Sequence, residues 1–176
     1  MKARTFLLAI LLLASVVMVH RALAETLPLQ TVAHVDLKRY SGHWYEIARY
    51  PNWFERNCVA DATASYTPLA DGRMEVLNAC KLANGTVKIS KGKAVVADAA
   101  SNARLKVTFF WPFWGNYWVI DLAPDYSYAV VGEPSRKYLW ILSRTPQLSE
   151  ATMSQILTHM EQKGYDPSPL IKTPQH

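Results

Sequence analysis

The residues that could perform covalent or metal chemistry are few and scattered. The sequence of 176 residues has two cysteines, Cys58 and Cys80, and a thiolate is a strong nucleophile when a neighbouring base activates it. The histidines stand apart from both cysteines and from each other, at positions 20, 34, 43, 159 and 176. A Gly-x-Ser-x-Gly elbow, a His-x-x-x-His pair and a phosphate-binding glycine loop are all missing. The sequence therefore predicts a protein that is not an enzyme and has neither metal site nor cofactor.

The two cysteines have a simpler interpretation as a disulfide. Cys58 and Cys80 stand about eleven residues on either side of a predicted turn at Leu69 to Gly72, which puts them in neighbouring strands. A disulfide between them would close a loop of about 22 residues and add on the order of 3 kcal/mol of stability. A catalytic thiol is the alternative, although no histidine is placed by sequence to activate it.

The N-terminal segment has the three parts of a secretory signal. Lys2 and Arg4 give a basic start, Phe6 to Val19 form an apolar run of fourteen residues, and Ala22 to Ala24 give a small-x-small cleavage site. We therefore expect a signal peptide over residues 1–24 and export of the remainder, to the periplasm or the outside medium. An uncleaved signal anchor is the alternative.

The remaining chain, residues 25–176, has the size of one domain. Removing Lys2, Arg4 and Arg21 lowers the basic count from 19 to 16 against 14 acids, which leaves a net charge of +2. The basic residues are scattered, which argues against nucleic-acid binding. No cysteine directly follows the signal, so we expect no lipid anchor; association with an outer membrane by other means is an alternative.

Short strands and turns alternate from Trp44 to Leu142, which predicts an all-β meander. Gly92 and the pair Gly115-Asn116 count among the turn signals. One helix should follow, beginning at Ser149 and ending at Gly164, with the proline-containing tail extended along the surface. Strands are predicted near 43–50, 58–67, 73–82, 86–90, 93–98, 104–111, 117–123, 127–132 and 138–143.

Three separated motifs resemble those of the lipocalin family. They are Gly42-His43-Trp44, the pair Asp125-Tyr126 between two strands, and Arg144 just before the helix. The Trp-Tyr-Glu-Ile segment from Trp44 and the Trp-Ile-Leu segment before Arg144 are similar to bacterial lipocalins and to apolipoprotein D. The resemblance implies an eight-stranded antiparallel up-and-down barrel with one C-terminal helix packed outside. Pro124 departs from the pattern, since threonine is usual there.

The resemblance also implies how one end of the barrel is closed. Gly42, Trp44 and Arg144 are expected to be structural, because a large ring with a five-donor cation against it can cover both apolar surface and unpaired carbonyl groups. Arg144 over the face of Trp44 would add a cation–π attraction of about 1–2 kcal/mol.

The same resemblance implies an interior that holds one small hydrophobic ligand, a fatty acid or a lysophospholipid. If Trp44 points inward, Glu46 and Ala48 share its face, because side chains alternate along a strand. Glu46 is expected to be structural, either protonated or bonded to a tyrosine, since a buried carboxylate is costly. The residues expected to contact the ligand are Glu46, Tyr66, Asn78, Val107, Phe109, Tyr117, Tyr138 and Trp140.

Other functions remain open at this point. An enzyme could act on an apolar substrate in the barrel, as a lipocalin-type prostaglandin synthase does through one cysteine. Haem, retinoid or sterol binding is a further alternative, although His43 should point away from the interior if Trp44 points in. A filled barrel with a structural role is the weakest of them.

The run Phe109 to Gly115 is more apolar than one inward face can absorb. Aromatic rings should therefore be exposed at a strand end, where such rings mark contacts with membranes or partners. We expect Phe113 and Trp114 to contact a membrane surface or the second subunit of a homodimer.

Overall fold

The computed structural model describes residues 27–176, so the expected signal segment lies outside the described residues. None of the helices within residues 27–176 is long and apolar enough to cross a membrane. The elements are α1 (Leu37–Tyr40), β1 (Gly42–Arg49), β2 (Cys58–Pro68), β3 (Met74–Leu82), β4 (Val87–Val96), β5 (Arg104–Phe110), β6 (Phe113–Leu122), β7 (Tyr128–Gly132), β8 (Leu139–Ser143), α2 (Glu150–Gln162) and β9 (Ile171–Lys172).

Strands β1 to β8 form a closed antiparallel barrel, which confirms the predicted fold class. Consecutive strands pair from β2 to β8, and β1 completes the circle by pairing with both β8 and β2. In the closing ladders Arg49 is the partner of Trp140, and Gly42 is the partner of Tyr66. The short strand β9 pairs with the last residues of β1, on the edge of β1 that faces away from β8. Four loops, β1–β2, β3–β4, β5–β6 and β7–β8, lie at one end of the barrel, which we call the open end.

Gly92 is not a turn residue, contrary to the sequence expectation. Strand β4 runs unbroken past it, and Gly92 pairs with Val76. A Cβ atom at this position would lie 2.7 Å from the Thr108 carbonyl oxygen and 2.8 Å from Cδ1 of Phe109. Glycine is required here because the Phe109 ring crosses the backbone at close range.

The turn between β5 and β6 also differs from the prediction. It lies at Trp111-Pro112, and Gly115 and Asn116 belong to β6, where Gly115 pairs with Val107. Proline has no N–H to donate to a ladder, so the chain turns there instead of four residues later.

The apolar residues form two clusters separated by the barrel wall. The inner cluster lies inside the barrel and includes Trp44, Val119 and Leu142. The outer cluster lies under α2 and includes Ile120 and Ile141, the sequence neighbours of two inner residues. Alternation along the strands thus divides the side chains as predicted.

Helix α2 packs outside the barrel as the sequence predicts. The Ser149 side chain accepts a hydrogen bond from the Thr152 amide at its start, and Gly164 has a φ of +79° just after its end. Ile156 and Met160 are buried in the outer cluster. The helix thus covers the apolar outer face of β6, β7 and β8.

An irregularity in β1 changes which side chains face inward. The register with β8 shifts between Glu46 and Ala48. Ala48 consequently belongs to the outer cluster, and the expectation that it shares the face of Trp44 is wrong. Arg49, which simple alternation places outside, is buried beside Glu46. A single extra residue reverses the alternation beyond it.

The C-terminal tail is extended, but it is more than a surface segment. Ile171 and Lys172 pair with Arg49 and Ala48 of β1. The Asp61 amide of β2 donates to the Pro174 carbonyl oxygen. The tail therefore lies between β1 and β2 and completes the barrel wall towards the open end.

Candidate ligand-binding site

Arg144 and Trp44 close one end of the barrel. The Arg144 Cζ lies 3.7 Å from the centroid of the Trp44 ring, and Trp44 Nε1 donates to the Tyr40 carbonyl oxygen at 2.8 Å. Gly42 has a φ of +93°, and a Cβ there would lie 3.5 Å from Arg144 Nη1. The three residues expected to be structural thus lie together at the closed end, away from the open rim.

The second motif belongs to the same closed end despite its proline. The Tyr126 hydroxyl accepts from the Asp36 amide at 2.8 Å, and the Arg39 guanidinium lies 4.0 Å from the centroid of the Tyr126 ring. Arg39 also donates to the Pro124 carbonyl oxygen at 3.1 Å. A proline keeps its carbonyl group, so the turn is tied to α1 without the usual threonine.

Three tyrosine hydroxyls meet inside the barrel. The Tyr117 hydroxyl oxygen lies 2.7 Å from that of Tyr40 and 2.8 Å from that of Tyr66. Burial raises the pKa of Tyr40 and Tyr117 well above the ordinary value. The hydroxyls are therefore neutral and offer polar hydrogen-bonding atoms in an apolar interior.

The expected ligand contacts Val107 and Phe109 lie in β5, and Trp140 lies in β8. All three pack against the inner cluster and all three are only partly buried, whereas Trp44 at the closed end is fully buried. Asn78 of β3 is the ladder partner of Ala64 in the inner cluster, and its buried Oδ1 has no hydrogen-bond partner in the described part of the chain. The interior thus has partly buried apolar side chains and one unused acceptor.

A stack of aromatic rings stands at the open end. The rings of Tyr138 and Trp140 are 6.0 Å apart at an angle of 11°. Phe54, from the loop between β1 and β2, lies 6.1 Å from Trp140 and 5.7 Å from Tyr138. Offset rings at such distances attract each other and make a rigid apolar surface.

Beside this stack lies a buried group of two carboxyls and one guanidinium. Arg49 Nε is 3.4 Å from Glu46 Oε1 and 3.6 Å from Glu55 Oε2. Trp140 Nε1 donates to Glu55 Oε2 at 3.1 Å, and the Thr173 hydroxyl donates to Glu46. Glu46 is thus bonded to a threonine of the tail, where the sequence suggested a tyrosine.

The surroundings of Glu46 favour its protonated form. Burial and the neighbouring Glu55 carboxylate raise the pKa of Glu46 to about 8, although Thr173 and Arg49 act in the opposite direction. One arginine cannot offset two buried negative charges, so one carboxyl keeps its proton.

Sequence reasoning missed four residues of this site: Tyr40, Arg49, Phe54 and Glu55. The irregularity in β1 hides Arg49, because alternation places it outside. Phe54 and Glu55 belong to a loop, for which alternation makes no prediction. Tyr40 ends α1, so it lies outside the strands to which alternation applies.

The cysteines form the predicted disulfide. Cys58 and Cys80 are bonded, with Cα atoms 5.6 Å apart, and no free cysteine exists in the described part of the chain. Two irregularities in β2 make Cys58 the ladder partner of Leu82, so the bond runs diagonally between β2 and β3. A catalytic thiolate is therefore not available among residues 27–176.

The side chain of His43, in strand β1 of the barrel wall, lies on the outer face. The His43 ring is exposed and lies against Tyr45 and the Ser65 hydroxyl on the outer face. Residues 27–176 contain no group of three or more histidine, cysteine or acidic side chains that could hold a metal ion.

The tip of the β5–β6 hairpin is the most exposed aromatic region that the structure describes. Phe110, Trp111 and Phe113 are 73, 82 and 77% exposed, and Trp114 is 41% exposed. Trp53 of the β1–β2 loop, 67% exposed, lies at the same end of the barrel. The open rim thus carries large apolar side chains.

A separate groove of about 440 Å³ lies outside the barrel, between α2, β6 and the segment before α1. Its wall includes Ile120 and the pair His159 and Asp121, whose Nδ1 and Oδ2 atoms are 2.7 Å apart. Arg136 and Lys163 donate from its rim to backbone carbonyls of Leu27 and Gln30. These bonds hold the N-terminal segment against the barrel.

The closed antiparallel barrel, its sealed end and its outer helix define the class of small β-barrel proteins that can hold one ligand inside. The lipocalin-like domain family matches residues 35–175. This chain therefore belongs to the lipocalin family, whose members typically bind small hydrophobic ligands.

Individual relatives agree with this assignment. Temperature-induced lipocalin-1 of Arabidopsis thaliana is 42% identical over 161 residues, covering 87% of this chain and 86% of the plant protein. Outer membrane lipoprotein Blc of Escherichia coli is 43% identical, with 80% and 79% covered. Apolipoprotein D of Mus musculus is 34% identical, with 80% and 77% covered.

Solved structures show the same fold. Insecticyanin of Manduca sexta superposes with a TM-score of 0.66 at 24% identity, covering 82% of this chain and 83% of that protein. Apocrustacyanin C2 gives a TM-score of 0.65 at 16% identity, with 80% of each chain covered.

Proposed function

We propose that this lipocalin binds one fatty acid or lysophospholipid in its barrel and releases it chemically unchanged. The supporting observation is the inner wall of Val107, Phe109 and Trp140, which is apolar yet only partly buried. An acyl chain would lie against this wall, and its polar head would find hydroxyls or the free Asn78 acceptor. Glu46, Tyr66, Tyr117 and Tyr138 complete the proposed site.

Native mass spectrometry of the cell-purified protein, followed by titration of delipidated protein, tests this function. The titrants are palmitate and lysophosphatidylcholine, with tryptophan fluorescence as the signal. We expect saturation at about one equivalent and recovery of the intact lipid. Binding of neither titrant, or recovery of a chemically altered lipid, would contradict the proposal.

Two neighbouring phenylalanines give a matched control. Phe109 packs against the inner cluster, whereas Phe110 is exposed. We expect Phe109→Ala to weaken binding by about tenfold or more, since a buried aromatic contact of 1–3 kcal/mol is lost. Phe110→Ala should bind as the wild type does. Equal loss in both variants would place the ligand outside the barrel.

We further propose that the hairpin tip contacts a lipid surface, through Phe113 and Trp114 above all. The exposed rings support this, because aromatic side chains favour the interface between water and acyl chains. The double variant Phe113→Ala, Trp114→Ala should lose sedimentation with phosphatidylcholine vesicles and keep binding palmitate. Unchanged sedimentation, together with a dimer in the wild type that the variant lacks, would favour a homodimer contact instead.

We propose export to the cell envelope or the outside medium as the setting of this function. The sequence of the first 24 residues supports it, as does the relative named outer membrane lipoprotein Blc. Fractionation of cells that express the full chain tests it. Mature protein beginning at Glu25 outside the cytoplasm is the expected result, and uncleaved protein in the cytoplasm is the contrary one.

A further inference from the structure

The barrel wall is interrupted between β1 and β2. These strands pair directly where Gly42 to Tyr45 of β1 face Thr63 to Tyr66 of β2. Beyond this point residues 171–176, the C-terminal tail, lie between the two strands. We call the position that the tail occupies the seam.

Backbone hydrogen bonds join the tail to both sides of the seam. The Thr173 amide donates to the Ile47 carbonyl oxygen of β1 at 2.9 Å. The Pro174 carbonyl oxygen accepts from the Asp61 amide of β2 at 2.8 Å. The tail thus has the position of a strand in the wall, although it comes from the opposite end of the domain.

One side chain of the tail bridges the seam by itself. Gln175 Nε2 donates to the Glu46 carbonyl oxygen at 2.7 Å and to the Ala62 carbonyl oxygen at 2.8 Å. The Thr173 hydroxyl donates to the buried Glu46 carboxyl. Behind the tail, therefore, lies the carboxyl and guanidinium group of the proposed ligand site.

The two sides of the seam are held in place independently of the tail. On one side, β1 pairs with β8 from Tyr45 to Arg49. On the other, the disulfide Cys58–Cys80 fastens β2 to β3. Without the tail, Arg49 Nη2 still donates across the seam to the Cys58 carbonyl oxygen at 3.5 Å. The tail can leave without breaking either side.

The tail itself has few apolar contacts. Ile171 is 43% exposed, and Lys172, Pro174 and His176 are exposed. The chain just before it is fixed more firmly, because Tyr165 is buried in the outer cluster. A segment held by hydrogen bonds at the surface, next to a buried anchor, opens locally far more readily than the barrel unfolds.

We propose that the seam is a lateral opening of the ligand site and that the C-terminal tail is its removable cover. The proposal rests on the proposed binding of a single-chain amphiphile. With the tail removed, β1 and β2 stand two strand spacings apart, about 10 Å. A gap of that width admits one acyl chain beside Glu46 and Arg49.

Two variants with opposite expected effects test the cover. One ends at Leu170 and lacks the tail. The other, Ala48→Cys with Lys172→Cys, pins the tail to β1 by a disulfide. These positions are ladder partners, and because Thr173 N bonds Ile47 O they form a non-hydrogen-bonded pair, whose close Cα atoms suit a disulfide. The two single-cysteine variants are the matched controls, and peptide mapping verifies the bonds.

The readout is the dissociation rate of a fluorescent polyene fatty acid by stopped flow. We expect the truncated protein to release it at least about tenfold faster and the pinned protein at least about tenfold more slowly, with smaller changes in Kd, because the cover gates exchange. Wild-type release rates in both variants would overturn the proposal and would mean that the ligand leaves through the open end of the barrel. If the truncated chain fails to fold, the test uses Thr173→Val in its place together with the pinned variant. We expect Thr173→Val to accelerate release of the fatty acid.

Failure of the proposed function has a different signature. If the wild type binds no amphiphile, the cover is tested by hydrogen exchange at the amides of Asp61 and Thr173, whose partners lie across the two edges of the tail. We expect these amides to exchange well before the amide of Val119 in the barrel core. Exchange as slow as that of Val119 would show that the tail does not leave.

Discussion

The guanidinium of Arg144 lies over the Trp44 ring, with Cζ 3.7 Å from the ring centroid, and donates to four carbonyl oxygens of residues 39–43. One side chain thus covers the Trp44 ring that closes the barrel and donates hydrogen bonds to the carbonyl groups at the end of α1. A planar five-donor fork can do both, whereas an ammonium group cannot.

Replacing Arg144 should destabilise the barrel strongly. We expect Arg144→Ala to lower the free energy of unfolding by about 2–4 kcal/mol, because the carbonyl groups lose their donors and the ring loses its cation. Arg144→Lys should recover less than half of the loss. Urea denaturation measures both. Arg73→Ala, which removes an exposed ion pair with Asp71, is the control and should leave the midpoint unchanged.

Glu46 should make stability depend on pH in one direction. Its pKa is 4.5 without the folded environment and about 8 within it. Between these values the folded protein holds a proton that the unfolded chain has released. The free energy of unfolding therefore falls as pH rises from about 4.5 to 8, by up to about 5 kcal/mol from this group.

The variant Glu46→Gln isolates this effect, since glutamine resembles the protonated acid and does not titrate. We expect the variant to match the wild type near pH 4.5 and to exceed it in stability at pH 8. Urea midpoints of both proteins across this range give the difference. A difference that is constant with pH would mean that Glu46 is ionised in the folded protein.

Gly92 and Gly115 should respond differently to alanine. A Cβ at Gly92 would lie 2.7 Å from the Thr108 carbonyl oxygen, whereas at Gly115 the nearest atom is 3.9 Å away. We expect Gly92→Ala to cost about 1–3 kcal/mol and to displace the Phe109 ring. Gly115→Ala should be neutral or slightly stabilising. Thermal unfolding with palmitate titration checks both, and a tolerated Gly92→Ala would mean that the Phe109 ring moves freely.

Removing the disulfide should lower stability without changing the fold. Cys58 and Cys80 are 22 positions apart. Closing a loop of that size lowers the entropy of the unfolded chain and stabilises the folded protein by about 3 kcal/mol. The double variant Cys58→Ser, Cys80→Ser should show this loss in urea with an unchanged far-ultraviolet spectrum. A serine pair that unfolds at the wild-type midpoint would contradict the estimate.

The sequence predicted what depends on local patterns. Alternation in the strands, turn residues and the Ser149 and Gly164 helix signals were enough for the meander and the outer helix. The bulge after Glu46 could not be foreseen, because it arises from the register with β8. Simple alternation therefore assigns Ala48 and Arg49 to the wrong faces of β1. Gly92 was mistaken for a turn because its actual role, room for the Phe109 ring, is a contact between strands.

The tail was beyond sequence reasoning for a similar reason. Its bonds join residues more than a hundred positions apart, as in Gln175 with Ala62, and no local pattern encodes such pairings. Trp140 and Tyr138 of the proposed site were named from the sequence, whereas the loop residues Phe54 and Glu55 did not come from any pattern.

The position of the tail also fixes the order in which the barrel can be completed during synthesis. Strands β1 and β2 are made early, yet the parts of their facing edges beyond Tyr45 and Thr63 stay unpaired until residues 171–176 have been made. Unpaired edges are where strands of different chains join and aggregate. A chain shortened by proteolysis or by a premature stop would keep that exposed edge, so translation must reach the tail before this protein is protected from self-association.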